Sequence, residues 1–117
     1  MHWKELEVWK KAHSMVLDAY KLAGSFPDVE RFRLTSQLCR AVASVPANIV
    51  EGNARQSTKE YIQFLYVARG SLEEARYFAF LAKELGYLRH SEYEDFESKS
   101  ELVSCLLNGL MRSLKKK

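Results

Sequence analysis

Histidine, cysteine and closely spaced carboxylates most often carry catalysis or hold metals, and in this chain they are scattered. The three histidines are His2, His13 and His90, expected at a frayed end, on a surface helix and in a loop. None has a second ligand at HExxH or ExxH spacing. Glu73 and Glu74 are adjacent, so on a helix they point about 100° apart and cannot enter one site. The sequence predicts a non-enzyme with no catalytic residues, cofactor or metal site.

The cysteines and the hydropathy pattern indicate in which cellular compartment the protein is expected. Cys39 and Cys105 form no CxxC pair, so we expect two reduced, half-buried thiols. The first segment is charged from Lys4 onward, which is unlike a signal peptide, and no apolar run approaches the ~20 residues of a membrane span. We therefore expect a cytoplasmic protein with no membrane partner and no small-molecule substrate.

The composition predicts an all-α protein folded as a single domain over residues 1–117. Hydrophobic residues make up 47% and charged residues 28% of the chain, as in ordinary soluble domains. There are only two prolines and five glycines, and β-branched runs are absent. No repeat, linker or low-complexity segment divides the chain.

The first two helices are predicted from apolar residues that recur at helical spacing. Helix one runs from Lys4 to Ala23, with Trp3 and Val8 off its apolar stripe. Helix two begins between Pro27 and Arg31 and ends at Gly52, where a glycine favours a C-terminal cap.

The last two helices begin at capping boxes, Ser57–Glu60 and Ser91–Glu94. Helix three ends in a left-handed cap at Gly86. Gly70 lies in its interior, where close approach of a neighbouring helix would explain a glycine. Its long apolar stripe is Tyr61, Phe64, Leu65, Ala68, Leu72, Ala75, Ala79, Ala82 and Leu85. Four helices with short connections predict an antiparallel up-down-up-down bundle.

Pro46 lies in the middle of helix two, and the apolar spacing stays in phase on either side of it. A proline removes one backbone donor, and its ring presses on the carbonyl four residues back, that of Val42. We interpret the segment as a helix kinked at Pro46 rather than as two helical pieces. Ser44 and Asn48, or a water, are expected to satisfy the freed carbonyl.

The polar residues around this proline have two interpretations, and both can hold. In the first they form a polar network between helices and cap the kink. In the second they form a surface for a partner. Arg69 and Glu73 are four residues apart and are expected to pair on helix three. The residues of this signature surface are Arg40, Ser44, Pro46, Asn48, Glu51, Gly52, Arg55, Arg69, Ser71 and Glu73.

Basic residues dominate the centre of a chain whose formal net charge is +3. Between residues 31 and 83, eight Arg or Lys stand against four Glu, and three lysines end the chain. On charge alone, a solvated mixed face is the favoured interpretation, and salt-dependent contact with nucleic-acid phosphates is the alternative. The candidate phosphate contacts are Arg55, Lys59, Arg69, Arg76, Lys115, Lys116 and Lys117.

Aromatic side chains outside the core stripes predict self-association. Apolar residues on two faces of helix three imply a second burial partner, either another helix or another subunit. The surplus aromatics are Trp3, Tyr66, Tyr77, Phe78, Phe80, Tyr87 and Tyr93.

One stretch resembles the signature of a known family. Ser44-Val-Pro-Ala-Asn-Ile-Val-Glu-Gly52, followed by Arg55, Phe64–Leu65 and Ala68–Glu74, is similar to the 23S rRNA intervening-sequence protein family. The resemblance covers nearly the whole chain. It implies a four-helix bundle with no established biochemical activity, assembled as a ring-shaped homopentamer. Similar proteins in diversity-generating retroelements bind a reverse transcriptase and RNA, so the resemblance implies either as a partner.

Two functions from different classes follow. The first is a non-catalytic, oligomeric accessory protein that associates with RNA. The second is a protein-binding adaptor or assembly scaffold, in which the basic residues only solvate the surface.

Overall fold

The computed structural model describes residues 1–116, and within them the chain forms helices and no strand. The four long helices are α1 (Glu7–Ala23), α2 (Leu34–Asn53), α3 (Thr58–Glu84) and α4 (His90–Lys115). Two 3-10 helices, Trp3–Glu5 and Asp28–Glu30, precede α1 and α2. The predicted all-α class and the four helices are confirmed.

Contacts between side chains show that neighbouring helices run in opposite directions. Ser44 of α2 hydrogen-bonds Ser71 of α3 at 2.9 Å, while Gly52, later in α2, lies against Phe64, earlier in α3. Pairs with the same reversal are Tyr66–Lys115 and Arg76–Glu97 between α3 and α4, and Leu6–Leu110 and Asp18–Lys99 between α1 and α4. Each helix packs against two others, α1 and α3 both against α2 and α4. The arrangement is the predicted antiparallel bundle.

Small side chains make the centre of the bundle narrow. On α3 the buried residues are Leu65, Ala68, Leu72, Ala75, Ala79 and Ala82, which confirms the central part of the predicted stripe. On α1 they are Val8, Ala12, Met15, Ala19 and Ala23. Val8 therefore belongs to the core, contrary to the sequence prediction. The larger Leu6, Trp9 and Val16 lie at the edge of the core, because the face lined by alanines is the one that packs inward.

The starts of three helices differ from the predictions. Helix α1 begins at Glu7 rather than at Lys4, because Trp3–Glu5 forms a separate 3-10 turn. Helix α2 begins at Leu34, later than predicted, because Asp28–Glu30 forms a 3-10 turn. Helix α4 begins at His90, because the backbone amide of Arg89 donates to the Glu92 carboxylate at 2.9 Å. The capping box predicted at Ser91–Glu94 is therefore wrong by two residues.

Two other predicted helix ends are present. Ser57 Oγ accepts a hydrogen bond from the Glu60 amide at 3.1 Å and so caps α3. The Glu60 carboxylate accepts from the Ser57 hydroxyl at 3.1 Å, which takes the place of the predicted bond to the Ser57 amide. Gly86 follows α3 with φ of +83°, the left-handed conformation that glycine adopts most readily.

Helix α2 continues through Pro46, which is buried. Asn48 Nδ2 donates to the Ser44 carbonyl at 2.8 Å and to Ser44 Oγ at 2.9 Å. The side-chain amide of Asn48 thus donates to the carbonyl of Ser44. The sequence had predicted a bond to the carbonyl of Val42 instead. The kink at Pro46 stays a prediction.

Gly52 has a different role from the predicted C-cap. It is a buried residue inside α2, which ends one residue later at Asn53. A Cβ at position 52 would lie 2.8 Å from Phe64 Cβ and 3.0 Å from Tyr61 Cδ1. Only glycine therefore lets α2 and α3 approach this closely.

Gly70 has the opposite surroundings. It is exposed on α3, and a Cβ there would meet no atom within 4 Å. The predicted close approach of a helix at Gly70 is therefore wrong within this chain, and Gly52 is where that approach occurs.

Alanine substitutions at these two glycines are expected to have opposite effects. Gly52→Ala forces α3 away or distorts Phe64, and overpacking of this kind lowers the free energy of unfolding by about 1–3 kcal/mol. Gly70→Ala removes backbone freedom from the unfolded chain without a clash, so it raises that free energy by roughly 0.5–1 kcal/mol. Urea unfolding of the two variants measures both. An equal decrease in the free energy of unfolding in both variants would contradict the conclusion that the helices approach most closely at Gly52.

Candidate nucleic-acid interface

The antiparallel topology brings the start of α1, the α2–α3 loop and the end of α4 to one end of the bundle, here called the basic end. It comprises residues 1–11, 50–63 and 108–116, which hold eight Lys or Arg against four Glu, a net charge of +4. The opposite end, residues 20–36 and 80–95, holds five Lys or Arg against six acidic residues. Positive charge is therefore concentrated at the end of the bundle that holds the start of α1, the α2–α3 loop and the end of α4. The last predicted phosphate contact, Lys117, lies outside the described residues.

A cluster of cations surrounds Tyr66, where α3 and α4 meet near the basic end. Lys115 Nζ donates to the Tyr66 hydroxyl at 2.7 Å. The Arg69 guanidinium carbon lies 4.9 Å from the centroid of the same ring, and Arg69 Nη1 donates to Asn108 Oδ1 at 3.2 Å. The hydrogen bond from Lys115, followed by its charge, lowers the pKa of the Tyr66 phenol below its ordinary value.

The partners of these two cations are neutral groups, an amide oxygen and a phenol. Among residues 1–116, no carboxylate lies within 4.0 Å of Arg69 or Lys115. The predicted Arg69–Glu73 pair is wrong, because Glu73 pairs with Arg76 at 3.0 Å instead. The charges of Arg69 and Lys115 are thus left for an external anion.

Arg76, another predicted phosphate contact, is surrounded by acids. It makes two hydrogen bonds to Glu97, at 3.2 and 3.1 Å, and also bonds Glu73 at 3.0 Å and Glu101 at 2.8 Å. The hydrogen bond to Glu97 is the largest cause that raises the pKa of Arg76 above its ordinary value. This half-buried cluster joins α3 to α4, and a phosphate would have to compete with three carboxylates for it.

Two predicted contacts lie around the α2–α3 loop. Arg55 pairs with Glu51 at 3.0 Å and places its guanidinium 4.7 Å from the centre of the Phe64 ring. Lys59 is exposed in the first turn of α3. Lys116 is exposed just after α4 ends. These cations line the basic end together with the cluster around Tyr66.

The signature residues divide into buried and exposed members. Ser44, Asn48 and Ser71 form a half-buried polar seam between α2 and α3, as the first interpretation predicted. Pro46 and Gly52 are buried and support the packing. The exposed members are Arg40, Glu51, Arg55, Arg69 and Glu73. Arg40 borders an open groove between α2 and α3 that Gln37, Ser44 and Glu74 also line.

The thiols differ in exposure. Cys39 is half-buried, as predicted, and burial raises the pKa of its thiol. Cys105 is exposed, so the prediction that it is half-buried is wrong. Among the described residues, no three His, Cys, Asp or Glu side chains gather as a metal site would require. Within the same residues, no helix is long and apolar enough to cross a membrane.

Apolar side chains remain exposed on the outer face of α3. Val67 is 52% exposed, Tyr77 58% and Phe80 42%. Tyr77 and Phe80, which the sequence assigned to a second apolar face of this helix, are therefore exposed. Val67 lies on the other flank of the helix, about 140° around its axis from Phe80. Tyr66 and Phe78, which were also assigned to the second apolar face, are half-buried against the core instead.

Some features of the basic end were missed from the sequence. The contact between Tyr66 and Lys115 joins residues 49 positions apart, and no local spacing rule connects them. The surplus of aromatics and the basic tail were the only signals that could have led to it.

Comparison with known proteins places the chain in a family. The model of the family described as 23S rRNA-intervening sequence protein matches residues 4–109. The chain therefore belongs to this family, and the resemblance inferred from its signature is confirmed. No curated protein matches the chain.

A solved structure has the same fold. It is a protein of unknown function from the S23 ribosomal protein family of Bacteroides thetaiotaomicron, 24% identical to this chain. The alignment covers 89% of this chain and 97% of the other, with a TM-score of 0.80. At this identity the similarity shows the shared four-helix fold.

Removing the amine of Lys115 is expected to change the titration of Tyr66. Because Lys115 stabilises the phenolate, Lys115→Met raises the pKa of Tyr66 towards its ordinary value. Phenolate absorbance, taken as the difference between each protein and its Tyr66→Phe counterpart, measures this pKa. Lys116→Met serves as the control, and an equal change in that variant would contradict the specific contact.

Proposed function

We propose that this protein is a non-catalytic, oligomeric accessory protein that associates with RNA by binding its phosphates at the basic end and at the adjoining cluster around Tyr66. Cytoplasmic location is part of the same proposal. The observation that carries it is the pair Arg69 and Lys115, two cations from different helices that meet at one tyrosine with no carboxylate within 4.0 Å among the described residues.

The local geometry supports phosphate as the anion. An arginine offers several N–H donors in a plane, and a lysine offers a compact point charge, and both are common partners of phosphate oxygens. Lys59, at the start of α3, and Lys116, just after α4, are exposed at the same end of the bundle and add to the positive surface. Arg76 lies outside this interface, because Glu97 and the two other acids already neutralise it.

The salt dependence of RNA binding tests this proposal. We expect Lys59→Gln, Arg69→Gln and Lys115→Gln together to weaken binding. Each lost phosphate contact flattens the slope of log affinity against log salt by ~0.7 on a single strand, so three flatten it by about 2. Retardation of RNA at several salt concentrations measures the slope.

The matched control removes three cations from the opposite end, Lys21→Gln, Arg31→Gln and Arg33→Gln, which leaves the net charge of the two triple variants equal. If RNA binds specifically at the basic end, the slope of log affinity against log salt flattens only in the first variant. Absence of binding by the wild-type protein at low salt, with its assembly intact, would remove the RNA part of the proposal. An equal flattening of the slope in both variants would mean that RNA responds only to the net charge of the protein and not to the basic end.

A self-assembling scaffold without nucleic acid is the second candidate, and the exposed apolar face of α3 favours it. Val67, Tyr77 and Phe80 expose large apolar side chains on one helix. Such a face is typically covered by a protein partner, and we propose a second copy of this chain, in a homopentamer. Assembly is compatible with the first proposal, so the two candidates differ only in whether RNA binds.

Solution mass tests the assembly. Five copies of 13.6 kDa give about 68 kDa. Tyr77→Glu with Val67→Glu is expected to shift light scattering towards 13.6 kDa, because the charges cannot be desolvated in an interface. Phe32→Glu, at a residue that is 87% exposed at the other end, is the control. A well-folded wild-type particle of 13.6 kDa at high concentration would contradict assembly.

A further inference from the structure

Four aromatic rings form a continuous series at the start of the chain, here called the aromatic ladder: His2, Trp3, Trp9 and His13. The His2 and Trp3 ring centroids are 5.0 Å apart, and Trp3 meets Trp9 edge-on at 4.9 Å. His13 stacks on Trp9 at 5.0 Å, with only 6° between the ring planes. Trp9 and His13 are four residues apart on α1, so they share one side of that helix.

The ladder is held in place before any ligand arrives. The sequence predicted a frayed end at His2, whereas its Nδ1 accepts from the Lys4 amide at 3.2 Å and its own amide donates to Glu5 Oε1 at 3.1 Å. This capped 3-10 turn directs Trp3 back onto Trp9, which packs against the core. Rings that are already ordered lose little conformational entropy on binding.

The ladder combines accessible rings with positive charge. His2 and His13 are exposed, and both tryptophans are half-buried. Lys4 Nζ lies 5.5 Å from the centroid of the Trp3 ring. The ladder begins within the basic end, where Lys10 is also exposed and lies 3.9 Å from the Glu7 carboxylate.

We propose that the aromatic ladder stacks on unpaired bases of single-stranded RNA while the lysines around it bind the flanking phosphates. This inference rests on the proposed association with RNA and specifies the form of RNA that is bound. Aromatic platforms beside a positive groove are the usual way in which proteins bind single strands, because every base has a π-face. Duplex RNA offers no such contact, since its bases are already stacked on one another.

A purely structural role for the ladder would be to hold the N-terminal turn against the bundle. In that case the rings would be indifferent to nucleic acid. The chain contains two tryptophans, and both belong to the ladder, so its intrinsic tryptophan fluorescence reports on the ladder alone.

The experiment titrates the full-length protein with oligoadenylate of about 12 nucleotides, within the footprint range of single-strand binding folds. A blunt-ended RNA duplex and inorganic polyphosphate are titrated in parallel. We expect oligoadenylate to quench the tryptophan emission, and polyphosphate to bind without quenching. His13→Ala should weaken oligoadenylate binding at least about fivefold and leave duplex binding unchanged. Because His13 is exposed, this variant is expected to fold.

Two further variants complete the test. Trp3→Ala should reproduce the loss of oligoadenylate affinity, with circular dichroism confirming that the helices persist. Phe32→Ala removes an exposed ring that also lies beside an arginine, Arg31, at the opposite end, and should change nothing.

The outcomes separate the two proposals. Binding of oligoadenylate with unchanged emission, and with full affinity in both ladder variants, would overturn base stacking and leave RNA association standing. Equal weakening of polyphosphate and oligoadenylate by His13→Ala would also overturn it. Failure of all three ligands to bind at low salt would overturn both proposals.

Discussion

The close approach of α2 and α3 is the constraint on which the rest of the structure depends. Gly52 fixes the distance between the two helices near their connecting loop, because a Cβ there would meet Phe64 at 2.8 Å. Midway along the pair, Ser44 and Ser71 fix the register through their hydrogen bond. Two such points define how one helix lies on the other. A shift of register would break this hydrogen bond and bring a side chain other than Gly52 against Phe64.

The register of α3 then decides which of its cations are neutralised. Arg69 and Arg76 are seven residues apart, two turns of helix, and both face α4. Because α4 runs in the opposite direction, Arg76 meets its acidic first half, at Glu97 and Glu101. Arg69 meets the second half, where Asn108 is neutral. The acidic start and basic end of α4 also complement its macrodipole, so this charge order has a reason in helix stability alone.

The elements predicted well from the sequence are those set by local rules. The apolar stripe of α3, the cap at Ser57 and the left-handed Gly86 each depend on residues within one or two turns. The start of α4 was misplaced because capping rules favour a serine such as Ser91, whereas the observed N-cap is Arg89, whose backbone amide donates to the Glu92 carboxylate.

Contacts between residues that are far apart in the sequence could not be predicted from it. Gly52 and Gly70 are the same residue type in helices of similar composition, yet one lies against a neighbouring helix and the other faces open space. Arg69 was assigned to Glu73 by helical spacing, but a partner on another helix was available in Asn108. A local pair on a helix is worth only ~0.2–0.5 kcal/mol, so tertiary contacts readily override it.

The modest charge of the chain is weak evidence against RNA association, because the charge is distributed unevenly. A net of +4 is found at the basic end alone, while the opposite end is slightly acidic. Among the exposed apolar residues, Tyr77 and Phe80 lie further along α3 than the cluster at Tyr66, while Val67 follows Tyr66 in the chain and lies about 100° around the helix from it. In a cyclic assembly whose axis follows the helices, every basic end lies on the same side. If the proposed RNA association holds, several weak sites on one such particle would bind one RNA with an avidity that exceeds any single site.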